Sequence, residues 1–160
     1  MKTEVYSSSS EEETQSIAEQ FARRLRSGDI VTISGDLGVG KTEFVRGICR
    51  FFEVEDIVTS PTFSIINVYR GTLTTGEPVQ IIHIDLYRLK NMKELSSIGL
   101  LEWLQLPDAI KVIEWPEKAN GIIRSPHYQV TIKTLPSLDD ERRQIHITTS
   151  TSEDQTISSQ

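Results

Sequence analysis

The sequence predicts an α/β domain of three layers, with helices on both faces of a mixed parallel and antiparallel sheet. Three observations carry that expectation. Helical and buried-strand patterns alternate up to Phe52, with a glycine-rich turn between a strand and a helix. Period-two stretches joined by turn residues follow later, as hairpins do. The 160 residues suit one domain, long enough to bury about 70% of the surface of its unfolded chain. That domain is expected over residues 1–149, with a polar tail over 150–160.

Taken in order, Ser7 to Glu13 is polar and ends in a helix-start signal. Serines precede Glu11, Glu12 and Glu13, and carboxylates in a first turn oppose the positive end of the helix dipole. Ile17, Ala18, Phe21, Ala22 and Leu25 repeat at helical spacing, and Gly28 is expected to close that helix. Ile30, Val31 and Ile33 read as a short strand buried on both faces. Beyond the glycine-rich turn, Phe44, Ile48, Phe51 and Phe52 fall on one side of an amphipathic helix. Period two returns from Phe63 to Tyr69, and Gly71 to Gly76 turns the chain into a partner strand from Val79 to Asp85. Asn91 to Leu104 is helical, with an interruption at Gly99. Ile110 to Ile113 is a buried strand ending in Glu114. Tyr128 to Leu135 and Gln144 to Thr149 alternate as a final antiparallel pair, and the polar end is expected to fray.

Composition narrows the function classes. Hydrophobic residues make up 37% and charged residues 25%, the balance of an ordinary soluble globule. Apolar runs are only a few residues long, too short to span a bilayer, so no membrane partner is expected. The first residues lack the apolar core of a signal peptide, and the single Cys49 excludes an intrachain disulfide, so the expected location is cytoplasmic. The net charge of −6 is unevenly spread. Lys2 against Glu4, Glu11, Glu12, Glu13 and Glu19 leaves residues 1–20 at −4, and Glu153 with Asp154 leaves 150–160 at −2. The body is therefore neutral. No block of positive charge suits a nucleic-acid backbone, so tight direct binding of nucleic acid is not expected.

Gly35-Asp36-Leu37-Gly38-Val39-Gly40-Lys41-Thr42 fits the phosphate-loop pattern G-x-x-x-x-G-K-[ST]. Glycines let successive backbone N–H groups point at a β-phosphate, in a concavity that side chains would block. The helix that follows adds its positive end at the same spot. Lys41 is placed to reach the β- and γ-phosphates, and the Thr42 hydroxyl to ligate Mg²⁺. Chance produces this pattern in about 0.5% of chains of such length, and the buried strand before it and the helix after it raise its specificity. The structural alternative is a plain glycine turn between strand and helix. The expected nucleotide-binding set is Gly35, Asp36, Leu37, Gly38, Val39, Gly40, Lys41, Thr42 and Glu43. The N/T-K-x-D element of guanine-reading proteins is absent, which leaves ATP by elimination.

A phosphate-loop enzyme also needs a carboxylate at the end of a neighbouring strand, to hold Mg²⁺ or its water. Asp85 follows Ile81-Ile82-His83-Ile84, and Glu114 follows Val112-Ile113. Spacing alone does not say which touches the metal. His83, one position inside its strand, reads as structural. Ser60-Pro61-Thr62 lies between helix and hairpin, where hydroxyls such as that of Thr62 reach a γ-phosphate in nucleotide-sensing loops. Arg88 is placed either to complete a clamp or to serve as an exposed structural residue. Trp103 and Trp115 read as core residues or as interface anchors.

Together these residues resemble the TsaE family, small ATPases of bacterial tRNA threonylcarbamoyladenosine synthesis. The resemblance is carried by the glycine-rich motif, by Ser60-Pro61-Thr62-Phe63, by His83-Ile84-Asp85-Leu86-Tyr87-Arg88-Leu89 and by Ile113-Glu114-Trp115-Pro116-Glu117. It spans residues from about 11 to 149. Val39 stands where the family usually has alanine, at a position where only the backbone matters. The resemblance implies a phosphate-loop NTPase fold in which Thr42 and Glu114 hold Mg²⁺ and Asp85 is required for hydrolysis. It further implies that Ser60-Pro61-Thr62 acts as a switch and that Thr14 lies on the adenine side. The catalytic set is then Lys41, Asp85 and Glu114. By the same resemblance the protein docks on TsaB-like and TsaD-like partners and meets tRNA only through them. Its ATP cycle would sustain threonylcarbamoyl transfer to adenosine 37. Hydrolysis by the chain alone is expected to be slow, because a phosphate-loop protein without a supplied cation forgoes about 10³–10⁵ in rate. The readings from other classes are a small-molecule kinase on the same loop, with Arg88, Lys90 and Lys93 in a lid, and a nucleotide-gated binding module.

Overall fold

A computed structural model describes residues 2–59, 65–119, 121–123, 126–135 and 142–150. Ser60-Pro61-Thr62 and the tail beyond Ser150 lie outside the described residues. The elements are β1 (Lys2–Ser8), α1 (Glu11–Ala22), β2 (Ile30–Ser34), α2 (Lys41–Phe51), β3 (Ile66–Thr72), β4 (Pro78–Asp85), α3 (Met92–Ser97), α4 (Leu100–Leu104), β5 (Ala109–Glu114), a 3-10 turn (Pro116–Ala119), β6 (Tyr128–Thr134) and β7 (Arg143–Thr149). The seven strands make one sheet in the order β1-β7-β6-β2-β5-β4-β3. The central four run parallel; β7 runs against them on one side with β1 antiparallel to it beyond, and β3 is antiparallel on the other. The fold is α/β with a mixed sheet, as the alternation of patterns implied.

Period two divides the strands between two cores. Val31, Ile33, Ile81, Ile110 and Val112 pack with Phe21, Phe44 and Ile48 of α1 and α2. Their neighbours Ile82, Ile84, Ala109 and Ile113 pack with Leu86, Leu89, Leu95 and Leu100 on the opposite face. Every residue of the central strand β5 is buried, including Lys111, whose Nζ donates to the carbonyls of Gly28 (3.0 Å) and Leu106 (2.6 Å). Three layers hold over the parallel strands β2, β5 and β4. Along β6 and β7 the second face is polar instead, with Gln129, Lys133, Gln144 and His146 alternating against buried Val130, Ile132, Ile145 and Ile147.

Local chemistry sets the helices. Ser10 caps α1 by accepting from the Glu13 amide at 3.1 Å, while the Glu13 carboxylate accepts from the Ser9 amide at 2.8 Å, close to a capping box. The α1 and α2 backbones approach closely at Gly47, where a Cβ would lie 2.3 Å from the Gln15 carbonyl oxygen and 2.6 Å from Ala18 Cβ.

Three details differ from the sequence expectation, and a fourth bears it out. Lys2–Ser8 is a strand that the sequence pattern left unassigned, paired along its length with β7 so that Lys2 faces Thr149. The helix expected to run to Gly28 ends at Ala22. Gly28 instead donates its N–H to the Ala109 carbonyl, in the turn into β2. The hairpin strand expected to end at Tyr69 continues through Thr72, because Gly71 pairs with Val79 in the ladder rather than starting the turn. The helix expected from Asn91 is two short ones broken at Gly99, the expected interruption; Asn91 itself is the N-cap.

Candidate functional site

The sheet register brings the motifs together. β5 lies between β2 and β4, and Glu114 is level with Ile33 on one side and Asp85 on the other. All three strands are parallel, so the loop leaving β2 and both acids share the carboxyl edge of the sheet. Open α/β sheets bind ligands at that edge.

The loop itself turns sharply. Gly40 precedes α2 with φ +113°, a conformation open to glycine and strained for any L side chain. Asp36, Leu37 and Gly38 are exposed, with Leu37 70% accessible, which suits a loop that works through its backbone. Lys41 at the start of α2 is buried, and its Nζ donates to the carbonyls of Gly35 and Asp36 (2.9 Å to the latter). The same ammonium lies 4.1 Å from the centre of the Trp115 ring. Burial lowers the Lys41 pKa from its usual range, while Glu114, Asp85, Glu117 and Asp36 act in the opposite direction. Glu114 is the first of those charges, so the loop cation and the strand-end acid sense each other.

Trp115 packs against the second core, as a core reading expects, and also reaches the loop. It is half-buried at φ +60°, with its N–H donated to the Ile33 carbonyl at 3.3 Å. That geometry turns the indole over Lys41, and Tyr87 packs on it with ring centres 5.1 Å apart. Trp103 is half-buried away from the loop and donates its indole N–H to the Ile98 carbonyl.

The two acids differ in setting. Glu114 is buried, and its Oε2 lies 2.6 Å from His83 Nε2. Asp85 is half-buried and accepts from the Tyr87 amide at 3.0 Å. Arg88 is exposed. Lys90 and Lys93 are exposed as well, and the segment carrying them is tied to the second core by Leu86, Leu89, Leu95 and Leu100. A segment so anchored is a poor phosphate lid.

Beside the loop is a pocket of about 400 Å³, walled by Ser10, Glu11, Thr14, Gly38, Gly40 and Arg143. Thr14 faces it from α1, buried and 2.7 Å from the Ser8 hydroxyl. Glu43 also borders it, although its carboxylate accepts from Gln15 and pairs with Arg46. Arg143 escaped the sequence reading. It reaches from β7 to donate its Nε–H to the Val39 carbonyl at 3.1 Å, steadying the loop from a strand a hundred residues away in sequence. An arginine at a strand start, beside Arg142, carries no local signal of such a role. Thr62 lies outside the described residues.

Among the described residues no group of three or more His, Cys, Asp or Glu side chains is gathered to hold a metal. The oxygen donors of Thr42, Asp85 and Glu114 suit a hard divalent ion. Mg²⁺ commonly takes one or two carboxylates and completes its shell with phosphates and water, so the donor set fits Mg²⁺ arriving with a nucleotide.

Comparison with known proteins completes the description. The family model described as "Threonylcarbamoyl adenosine biosynthesis protein TsaE" matches residues 8–145. A protein from Rickettsia bellii named tRNA threonylcarbamoyladenosine biosynthesis protein TsaE is 40% identical over 140 residues, covering 87% of this chain and 90% of that one. Proteins of the same name from Rickettsia conorii and Treponema pallidum are 37% and 36% identical, covering 94% and 78% of this chain and 81% and 85% of theirs. The crystal structure of YdiB from Bacillus subtilis superposes with a TM-score of 0.70 at 25% identity, covering 98% of this chain and 91% of that one.

Proposed function

The chain belongs to the TsaE family of tRNA threonylcarbamoyladenosine biosynthesis, and from that premise we propose that it is the ATP-hydrolysing subunit of the pathway. The carrying observation is that the glycine-rich loop bearing Lys41 leaves β2 at the carboxyl edge of the parallel strands, where Glu114 and Asp85 stand level with Ile33. The glycine-rich loop wraps the β-phosphate with its backbone N–H groups, and Lys41 leaves the Gly35 and Asp36 carbonyls to neutralise the β- and γ-phosphates. The pocket beside Thr14 takes the adenosine end. Thr42 and Glu114 would hold Mg²⁺, which when bound offsets phosphate charge.

Asp85 orients the attacking water. Its oxygen bonds to the γ-phosphorus as the bridge to the β-phosphate breaks, giving ADP, inorganic phosphate and a proton. Lys41 meets the charge that moves onto the leaving oxygen. The neutral body of the chain supports contact with tRNA through TsaB-like and TsaD-like partners rather than directly. Among the described residues no helix is long and apolar enough to cross a membrane; the site of action proposed is the cytoplasm.

The test is ATP turnover by the chain alone, with the partner pair, and with the pair plus tRNA. Partner-stimulated phosphate release that disappears in Lys41→Ala, Asp85→Ala and Glu114→Ala is expected. Release that persists in all three variants, or that rises only with an added small-molecule acceptor, overturns the reading, the latter in favour of a kinase.

A further inference from the structure

The hydrolysis described above gives no task to the buried histidine of β4. His83 is wholly buried in β4, two residues before Asp85. One ring nitrogen, Nε2, lies 2.6 Å from Glu114 Oε2 across the β4–β5 pair. The other, Nδ1, lies 3.3 Å from the Tyr69 hydroxyl on β3. That hydroxyl is in turn 3.3 Å from the Thr59 carbonyl and receives the Asn67 amide at 3.3 Å. Tyr69, His83 and Glu114 are all buried. A continuous chain of polar contacts thus crosses three adjacent strands and ends on one oxygen of the strand-end acid.

We propose that His83 is a positioning residue for Glu114, with Tyr69 steadying its ring, so that one carboxylate oxygen is held and the other is presented to Mg²⁺. The chemistry fixes the roles. An ionised carboxylate only accepts, so Nε2 carries the proton on the Glu114 side. Nδ1 lies against the Tyr69 hydroxyl, which donates to the Thr59 carbonyl and so holds the far side of the ring by contact. A glutamate carboxylate, oriented by three rotatable bonds, would otherwise lose its orientation each time the ion leaves. Here burial and the short bond to His83 keep a single arrangement. Such outer partners of a metal-binding carboxylate are worth about 10–100-fold in metal affinity or activity. The inference rests on the reading of Glu114 as a Mg²⁺ ligand and extends it to two residues outside the coordination shell.

The experiment is a Mg²⁺ titration of fluorescent N-methylanthraniloyl-ADP binding, with binding in EDTA as the reference for each variant. His83→Gln places an amide N–H near the Nε2 position, whereas His83→Asn places one near Nδ1 and leaves Glu114 unheld. His83→Asn is expected to raise the half-saturating Mg²⁺ concentration about 10–100-fold with EDTA binding unchanged. His83→Gln should keep the midpoint of the natural protein, and Tyr69→Phe should raise it by about 10-fold, the lower end of that range. A purely structural role lowers thermal stability without moving the Mg²⁺ midpoint. An unmoved midpoint in His83→Asn overturns the proposal; if that variant does not fold, an unmoved midpoint in Tyr69→Phe does so. Natural protein whose nucleotide binding ignores Mg²⁺ altogether would instead overturn the underlying reading of Glu114.

Discussion

Replacing Gly47 by alanine sets two effects of opposite sign against each other. In a solvated helix the change is favourable by about 1 kcal/mol, because glycine has the larger backbone freedom to lose. At this site the added Cβ would lie 2.3 Å from the Gln15 carbonyl oxygen and 2.6 Å from Ala18 Cβ. Neither neighbour is the far end of a flexible side chain. Relief therefore requires α1 and α2 to separate by roughly 1 Å, and a gap of that size forfeits a quarter to a half of each dispersion contact across the interface. Phe21 and Phe44 sit at that interface with ring centres 5.7 Å apart. Overpacking of this kind costs about 1–3 kcal/mol and occasionally more; two contacts this short belong to the upper half of that range, about 2–3 kcal/mol, which less the propensity gain of about 1 kcal/mol leaves a net loss of about 1–2 kcal/mol. For a domain of this size that corresponds to a melting temperature lower by roughly 2–8 °C. The displacement also moves Thr14 and Ser10 away from the glycine-rich loop, so nucleotide affinity should fall with stability. Urea melts and nucleotide titration on the same sample test both. A Gly47→Ala protein as stable as the natural one would refute the close-approach argument.

Three further outcomes follow from single groups. Thr42→Ala should weaken Mg²⁺-dependent nucleotide binding more than binding in EDTA; equal losses in calorimetric titrations would remove Thr42 from the metal. Hydrogen bonds from Arg24, then from Tyr6, hold Glu4 at about 2, below its ordinary 4.5. A carboxylate depressed on folding stabilises above its ordinary value, so the advantage over Glu4→Gln should be full at pH 7 and close as pH falls from 4.5 toward 2. The pair is partly exposed, which limits the gap to about 0.5–1 kcal/mol in urea melts; a gap independent of pH would contradict the assignment. Burial pushes the Cys49 thiol up to about 12, so it should resist Ellman's reagent at pH 8 until the chain unfolds, and rapid labelling of the native protein would count against that burial.

The legible parts of the sequence were those whose signal is local. The glycine-rich motif, the strand runs before Asp85 and Glu114, and the acids opening α1 each declare themselves within a few residues. The features that escaped depend on partners distant in sequence. β1 is read as strand only once β7 is beside it, since Thr3, Val5 and Ser7 point away from the core and only Tyr6 packs against it. Arg143 acquires its role from the β6–β7 register, which delivers it to the Val39 carbonyl. Trp115 was visible as a tryptophan after a strand. Its position over Lys41 follows from a backbone turn at φ +60° that no residue type announces. His83 read as structural because a buried histidine usually is; its partner Glu114 is thirty-one residues away.

Register is what makes these separate elements one site. Along β5, Ile110 and Val112 face the α1–α2 core while Ala109 and Ile113 face the other. Glu114 continues the first series and so turns toward His83 and the loop. A slip of one residue in the β4–β5 ladder would carry Glu114 to the opposite face, among Ile82 and Ile84, and would bury Ile113 where the acid now stands. Hydrophobic alternation alone resists that slip, and Lys111 adds to it. Its ammonium bonds the Gly28 and Leu106 carbonyls from the face opposite Glu114, so the strand is pinned from one side while it presents the acid on the other. A buried lysine is a costly way to fill a central strand. It is intelligible here because the position of the strand determines where the acid stands.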